Sequence, residues 1–588
     1  MRKLFSRTWN LSRYLIDYFK QGWKHHLLKD YLKAFLTISF FQSHRLLTNL
    51  RDIKKYNRES LVKLANTTKG LHALLPKDPR FTYSILIPLD APTPSLLHSC
   101  LLSACKQTPP NFEILIGHTD PLPQAISAVI EELTKTYPHR IHTHLLPKDD
   151  FPLNHLVTYA TNNYLLILHQ DDWIRPDLLF RYEQTLRALP HPERTVLYCH
   201  ENRINKHDHF VPKSDVPKPI LHFPYFFEGS FSPRGCLLPK MLWKSVNGIS
   251  KKNLGAEFEE LILRLHTKGA IFQCIPLSLY ARRTDTPPPK ETSRAALLHA
   301  LEDYTREQKL AWNWQPGYRP HDVRAIPDIS APHQVQVIIP YKDQKKMTLD
   351  CVKSVQKQTG VAIKITAIDN ASQDTSISLE LQQMGVEVLT VFEPFNYSRL
   401  NNLAIKETKT AQDCDLALFL NNDVELEADA ICEMVRWINQ PHIGIVGCRL
   451  HYPDGRLQHG GVALDYHLSP HAMCWDHREL FKSFEEMQHT KSLGIVDAVT
   501  AACALVNKDK FLQVGGFDEV WYPIAFSDTN LAIKLHLKGL KSFYTPYASG
   551  IHHESVTRKE GIEDFESSHW LHRLLLQHQH QLPTRYFH

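Results

Sequence analysis

The chain has 588 residues, 22% of them charged and 43% in the hydrophobic set, proportions of globular domains rather than of disordered or membrane-embedded chains. At about 150 residues per domain, the length leaves room for three to four domains. No apolar run approaches the ~20 residues of a spanning helix, and the basic start lacks the apolar core and cleavage site of a secretory signal. Eleven cysteines without a C-x-x-C pair point to reduced thiols in cytosol rather than to a disulfide framework or zinc site.

The net charge of +6 is unevenly placed. Residues 1–80 hold 17 Lys+Arg against 5 Asp+Glu, an excess of +12, whereas the other 508 hold 51 against 57, a balance of −6. The basic segment also carries apolar residues at helical spacing, among them Trp9, Leu11, Tyr14, Leu15, Tyr18 and Phe19. It reads as a basic helical extension with two uses left open: contact with an anionic membrane surface, or packing on its own protein. Nucleic acid is not an expected partner, because the remaining body is acidic.

Beyond residue 80 the chain repeats itself, and the repeat decides the architecture. The run Ser84–Pro88 returns as Gln336–Pro340, and Tyr164–Asp172, ending His169-Gln170-Asp171-Asp172, is echoed by Asp415–Asp423, ending Asn421-Asn422-Asp423. Pro88 and Pro340, like Asp171 and Asp423, lie 252 residues apart. Glu259–Gly269 returns as Thr529–Gly539 at an offset of 270, so the second copy carries 18 extra residues before that point. Between the copies, residues 284–332 hold Pro287-Pro288-Pro289, a helical stretch and four further prolines, which reads as a linker arm. In the second copy, apolar runs near 335–340, 362–368, 386–391, 415–420 and 443–447 alternate with helical patterns. This alternation predicts βαβ units and a mostly parallel sheet, with ligands beyond the carboxyl ends of the strands.

The nucleotide motifs G-x-x-x-x-G-K-[ST] and G-x-G-x-x-G are missing, as is G-x-S-x-G. What stands at the strand ends is acidic and amide-rich: Asp369-Asn370, Asn396 after Phe395, and Asn421-Asn422-Asp423. Oxygen ligands of that kind suit a hard cation that carries a diphosphate, since phosphates and water complete its shell. An Asx-rich turn at a helix start is the alternative, because Asn and Asp favour both settings.

The ordered series VIIPYKD, IDNAS, FNYS with Asn401 and Asn402, LNNDVE, Tyr452–Gly455, Gln458–Gly461, Val499–Ala502, Gly515–Glu519, Ser527-Asp528 and His552–Ser555 resembles the family 2 glycosyltransferases. The resemblance is in particular to the bacterial O-antigen and rhamnan-type enzymes built from two such domains. The resemblance implies two tandem GT-A, Rossmann-like domains: a degenerate one over 81–283 and a catalytic one over 333–588. It also implies a nucleotide-diphosphate sugar donor, a glycan or lipid-linked glycan acceptor, and a divalent metal, Mn2+ or Mg2+. Asp369 resembles the carboxylate that binds the donor base, and Asn370, Asn396, Asn402, Asn421 and Asn422 accompany it as nucleotide-sugar contacts. Asp423 is similar to the last acid of the DxD metal motif, Asp528 to the general base of an inverting displacement, and His552, in competition with His553, to a late metal ligand. Two departures, Asn530 in place of a second acid and Ala501 in place of glycine, weaken the acceptor side. The implied location is cytoplasmic, with residues 1–80 available for the inner face of the cytoplasmic membrane.

The first copy is worn at these positions. Asp369 has Gly117 or His118 as counterpart, Asp528 has Phe258, and no histidine follows in Tyr280–Arg283. The second domain therefore carries the expected activity and the first is expected to do no transfer. An inert scaffold or glycan-binding subunit of an assembly complex is the competing class, against which the intact Asp369, Asp423 and Asp528 count.

Overall fold

The computed structural model describes residues 80–108, 111–211, 218, 234–284, 293–320, 322–329, 331–464, 475–487, 489–553, 571 and 574. The basic segment and its expected helix and membrane contact lie outside them. Two α/β units follow one another, each built on a large sheet. The first sheet has eight strands, in the order Ile141–Leu145, Phe112–His118, Tyr83–Pro88, Tyr164–Ile167, Leu237–Pro239, Thr195–Ile204, Ile271–Arg283 and Trp173–Ile174. The second repeats that order with Glu387–Thr390, Ala362–Asp369, Gln334–Tyr341, Leu416–Leu420, Cys503–Asn507, Ile443–His451, Lys541–His552 and Val424–Leu426. Most pairings are parallel, but Cys503–Asn507 runs against both its neighbours and Val424–Leu426 runs against Lys541–His552.

The expected strands and helices of the second copy are present. Helices Lys345–Gln356, Ser376–Gln383 and Tyr397–Glu407 separate the first four strands, and Ala430–Ile438 follows Glu427. The central strands Gln334–Tyr341 and Leu416–Leu420 are largely apolar because the sheet is covered on both faces. One face packs Val335, Val337, Ile339, Leu416, Leu418 and Trp437, and the other packs Ile338, Ala417, Phe419, Ile445 and Phe511. The 18 extra residues are accommodated around short strands: Leu457–His459 on the edge of Ile443–His451, the pair Val462–Leu464 and Trp475–His477, and Gly494–Val496 on Lys541–His552.

Residues 284–332, expected as a linker arm, hold packed structure over their described part. Ser293 caps the helix Arg294–Glu307 through the Ala296 N–H, and Leu297, Ala300, Leu301 and Tyr304 enter the first domain's core. The hairpin Trp312–Pro316 with Val323–Pro327 reaches the second domain: Trp312 meets Trp437 edge-on at 5.7 Å, and Arg324 pairs with Glu433 at 2.7 Å. The prolines mark the ends of these elements, while the apolar residues between them need burial and find it on the domains they join. The ten described cysteines are all unpaired. Among the described residues no helix is long and apolar enough to cross a membrane.

Two buried groups give measurable consequences. Glu433 is 4% exposed and accepts from Arg324, the Trp437 indole and the Thr545 hydroxyl. Breaking a buried ion pair from one side costs ~3–5 kcal/mol, so Glu433→Ala is expected to lower the second domain's midpoint in urea followed by tryptophan fluorescence. An unchanged midpoint would show that the hairpin contact contributes little.

His459 is fully buried, with Nε2 accepting from the Thr500 N–H at 3.3 Å and Nδ1 3.2 Å from Nδ1 of His477. Burial first, then His477, Arg478 and His552, hold its pKa well below the ordinary 6.5. The unfolded chain therefore binds the proton first, so this residue's contribution is complete above pH 6.5 and is lost as pH falls below it, by about 1.4 kcal/mol per pH unit. His459→Gln keeps an acceptor for Thr500 and should flatten the stability profile by that slope between pH 6.5 and 5.5; an identical profile would contradict the assignment.

Candidate active site

Three adjacent strands, Ala362–Asp369, Gln334–Tyr341 and Leu416–Leu420, run parallel and end together. Their carboxyl ends carry the candidate residues. Asp369 is the last residue of its strand and is 5% exposed; Oδ1 accepts from the Ser372 N–H at 2.8 Å and Oδ2 from the Ser378 hydroxyl at 3.0 Å. The neighbouring Asn370 donates to the Glu393 carbonyl at 2.8 Å and the Val391 carbonyl at 3.3 Å, while its own Oδ1 is buried without a hydrogen-bond partner. Its amide therefore fixes the loop that leads to Asn396.

Asn396 is the N-cap of Tyr397–Glu407, accepting from the Arg399 N–H at 2.9 Å and donating to the Glu519 carbonyl at 2.9 Å. Asn402, one and a half turns on, is 3% exposed and donates to the Phe517 carbonyl and Glu519 Oε1, while its oxygen accepts from the Phe517 N–H. A side chain at Gly516, whose φ is +66°, would meet that oxygen at 2.7 Å, so the close approach requires glycine. Asn396 and Asn402, expected as nucleotide-sugar contacts, thus spend their amides latching the 517–519 loop to the helix.

That loop leads to Phe526, which sits at φ 58° immediately before the helix Ser527–Leu537. Asp343, Gln344 and Ala371 take similar left-handed φ values at the other strand ends, a conformation that costs non-glycine residues about 1–3 kcal/mol and tends to collect at functional sites. Asp528 stands half-buried in the first turn of its helix, where the backbone N–H groups favour a negative charge. Its Oδ2 accepts from the Ala501 N–H at 3.1 Å and its Oδ1 from the Thr529 N–H at 2.7 Å. The Tyr397 hydroxyl donates to the Ala501 carbonyl at 2.8 Å, and burial first, then the Asp528 charge, keeps that phenol well above its ordinary pKa.

The Asn421-Asn422-Asp423 turn joins this group through the Asn421 N–H, which donates to the Ala502 carbonyl at 3.0 Å. Asn422 donates to the Thr348 hydroxyl at 3.0 Å. Asp423 Oδ1 lies 3.2 Å from Nε2 of His552, whereas His553 turns to Glu425 at 2.8 Å. The alternation of a strand separates the two histidines, and the one that approaches Asp423 is His552. Its Nδ1 is buried without a hydrogen-bond partner. Among the described residues no cluster of three or more His, Cys, Asp and Glu could hold a metal ion alone.

The first domain keeps the frame and changes the groups. Pro88 pairs with Gly117 where Pro340 pairs with Ile368, so the counterpart of Asp369 is His118 rather than Gly117. Phe258 and Asp528 are each the second residue of an 11-residue helix. Tyr397, Thr348, Ser378 and Glu519 were given no role by the sequence reading, and Ala501 stood there only as a departure from glycine. Strings such as FNYS and GGFDE contain two of them, but nothing in those strings says that Asn402 grips Phe517.

The pattern of the family described as Glycosyl transferase family 2 matches residues 84–235 and 336–514, more than half of the chain. An uncharacterised protein y4gI of Sinorhizobium fredii is 27% identical over 514 residues, 82% of this chain and 54% of its own length. The O-antigen biosynthesis protein RfbC of Myxococcus xanthus is 25% identical over 530 residues, 86% of this chain and 40% of its own. The chain thus spans about half or less of these two relatives. An N-acetylglucosaminyl-diphospho-decaprenol L-rhamnosyltransferase of Mycobacterium tuberculosis is 25% identical over 219 residues, 34% of this chain and 70% of its own. Among solved structures, the mannosyltransferase PcManGT of Pyrobaculum calidifontis in complex with GDP-Man and Mn2+ aligns with a TM-score of 0.30 and 13% identity over 45% of this chain and 77% of that one. Since both repeats carry the pattern, on sheets of the same strand order, the chain belongs to glycosyl transferase family 2.

Proposed function

We propose that residues 333–588 transfer a sugar from a nucleotide-diphosphate donor to a glycan acceptor, free or lipid-linked, with inversion, in cell-surface polysaccharide synthesis of the O-antigen type. The observation that carries this reading is the approach of His552 to Asp423 at the strand ends that also bear Asp369, with Asp528 held from its helix by the Ala501 N–H. Relatives named for O-antigen biosynthesis and for rhamnosyl transfer support the polysaccharide setting.

In this reading Asp369, held by Ser372 and Ser378, receives the donor base, and Asn370, Asn396 and Asn402 act as positioning residues for the loops around it. Asn421 and Asn422 border the diphosphate. Asp423 and His552 fit a divalent cation, Mn2+ or Mg2+, because they offer one carboxylate and one imidazole whose Nε2 faces it at 3.2 Å. Two protein ligands suffice where phosphate oxygens and water complete the shell. When bound, such a cation supplies charge neutralisation for the leaving diphosphate.

Asp528 accepts the proton of the acceptor hydroxyl while that oxygen bonds to the anomeric carbon and the bond from this carbon to the diphosphate breaks. The Ala501 N–H and the helix turn hold the carboxylate in place for that step. The first domain, with His118 and Phe258 at the two positions, does no transfer and supports the second or holds a partner.

Asp423→Ala is expected to abolish both transfer and nucleotide-stimulated Mn2+ binding, whereas Asp171→Ala leaves transfer nearly unchanged. Equal metal affinity in wild type and Asp423→Ala, or loss of transfer in a folded Asp171→Ala protein, contradicts the assignment. Asp528→Asn is nearly isosteric and is expected to lower turnover by about two to four orders of magnitude with donor binding little changed; full activity would place the base elsewhere.

A further inference from the structure

In the first domain the position of His552 is taken by Arg282. Ile551 lies opposite Glu425, and Ala281 lies opposite Trp173; Glu425 and Trp173 each stand two residues past the corresponding acids Asp423 and Asp171. The next residue along each long strand is His552 in one domain and Arg282 in the other. A residue suited to ligating a cation has been replaced by a cation.

The surroundings follow the same change. Arg203, on the adjacent parallel strand, lies directly opposite Arg282, so positive charge gathers at this edge. The nearby acids are engaged with other cations. Asp172 is fully buried, pairs with Arg234 at 2.5 Å, and accepts from the Tyr280 hydroxyl at 2.7 Å and the Arg283 N–H at 3.0 Å. Glu201 pairs with Lys218 at 2.9 Å. The half-buried Arg282 guanidinium makes no hydrogen bond or ion pair with a described residue. Burial first, then the Arg234 charge, lowers its pKa from the ordinary value. Burial, Arg234 and Arg282 also push His169, the counterpart of Asn421, down to about 4.

We propose that this edge of the first domain, centred on Arg282 with Arg203 and Arg234 beside it, binds a diphosphate group without any metal ion. A guanidinium is permanently charged and its planar fork matches phosphate oxygens two at a time. Such a group neutralises the ligand directly, where a carboxylate must recruit a cation between itself and the phosphate. The edge lies at the carboxyl ends of the strands, where open α/β sheets bind ligands. The donor-base carboxylate has no equivalent here, since His118 stands in its place, so recognition falls on the diphosphate rather than on a nucleobase. A nucleoside diphosphate and an isoprenoid-linked diphosphate both present that group.

The test is calorimetric titration of the full chain in EDTA with inorganic pyrophosphate, UDP and farnesyl diphosphate, alongside Mn2+-dependent nucleotide binding as a separate arm. Wild type is expected to bind pyrophosphate in EDTA. Arg282→Gln should weaken this by roughly ten-fold or more, the loss of a hydrogen bond between charged groups, and Arg282→Lys should retain part of it. Both variants should keep the Mn2+-dependent arm, which reports the second domain and an intact fold. Farnesyl diphosphate binding more tightly than UDP assigns a lipid-linked source, and the reverse order assigns a nucleotide. No pyrophosphate binding by wild type in EDTA, or unchanged affinity in both variants, overturns the proposal, whereas a failed Mn2+ arm alone counts against the transfer site only.

Discussion

The short antiparallel ladder that sets Val424 opposite His552 joins two parts of the second domain that are far apart in the chain. Asp423 belongs to the turn after the buried strand Leu416–Leu420, while His552 ends the long strand Lys541–His552. Without that register the carboxylate and the imidazole would not meet, because a slip of one residue would exchange His552 for His553 and turn the wrong ring toward Asp423. The ladder in turn depends on Lys541–His552 being held along its length by Ile443–His451, with a break in register between Cys448 and Arg449. The rest of the candidate site is arranged around this junction: the Asn421 N–H reaches Ala502, and Ala501 reaches Asp528.

The same ladder in the first domain joins Trp173–Ile174 to Ile271–Arg283, so the frame outlives the residues mounted on it. Burial explains why. The strands Tyr83–Pro88 and Tyr164–Ile167 are packed within apolar layers, and changing them would unfold the sheet. His118 and Arg282 lie at strand ends, where substitution alters chemistry with little cost to the core, and Phe258, at a helix start, adds its ring to that core. Arg283 illustrates the new use of that edge: it is 1% exposed and binds the Asp171 carbonyl, the Asn205 carbonyl and Asp208, closing the first site's floor with protein contacts.

Much of this was legible in the sequence. The apolar runs around Ile338, Ile365 and Leu418 are short and separated by helical patterns, so their strands fall within a residue or two of expectation, while the strand around Val446 begins as expected at 443 but runs four residues further, to His451. The repeat offsets also paired Phe258 with Asp528 correctly, because the two helices are equal in length. Three features were not legible. The central antiparallel strand Cys503–Asn507 is a short apolar run whose partners are remote in sequence. The packing of residues 293–327 depends on tertiary contacts such as Trp312 on Trp437, to which proline content is blind. The latching roles of Asn396 and Asn402 rest on hydrogen bonds to residues 517–519, and an amide that binds protein reads the same in sequence as one that binds a sugar.

The most direct measurement of the central claim is the position of Mn2+ in a crystal of the full chain grown with a nucleoside diphosphate, located by anomalous scattering. The account predicts one strong peak beside the Asp423 carboxylate and the His552 ring, and none beside His169 and Asp171. A Mn2+ peak at the first domain's edge, or a second domain with no nucleotide at Asp369 and Asp423, would contradict it.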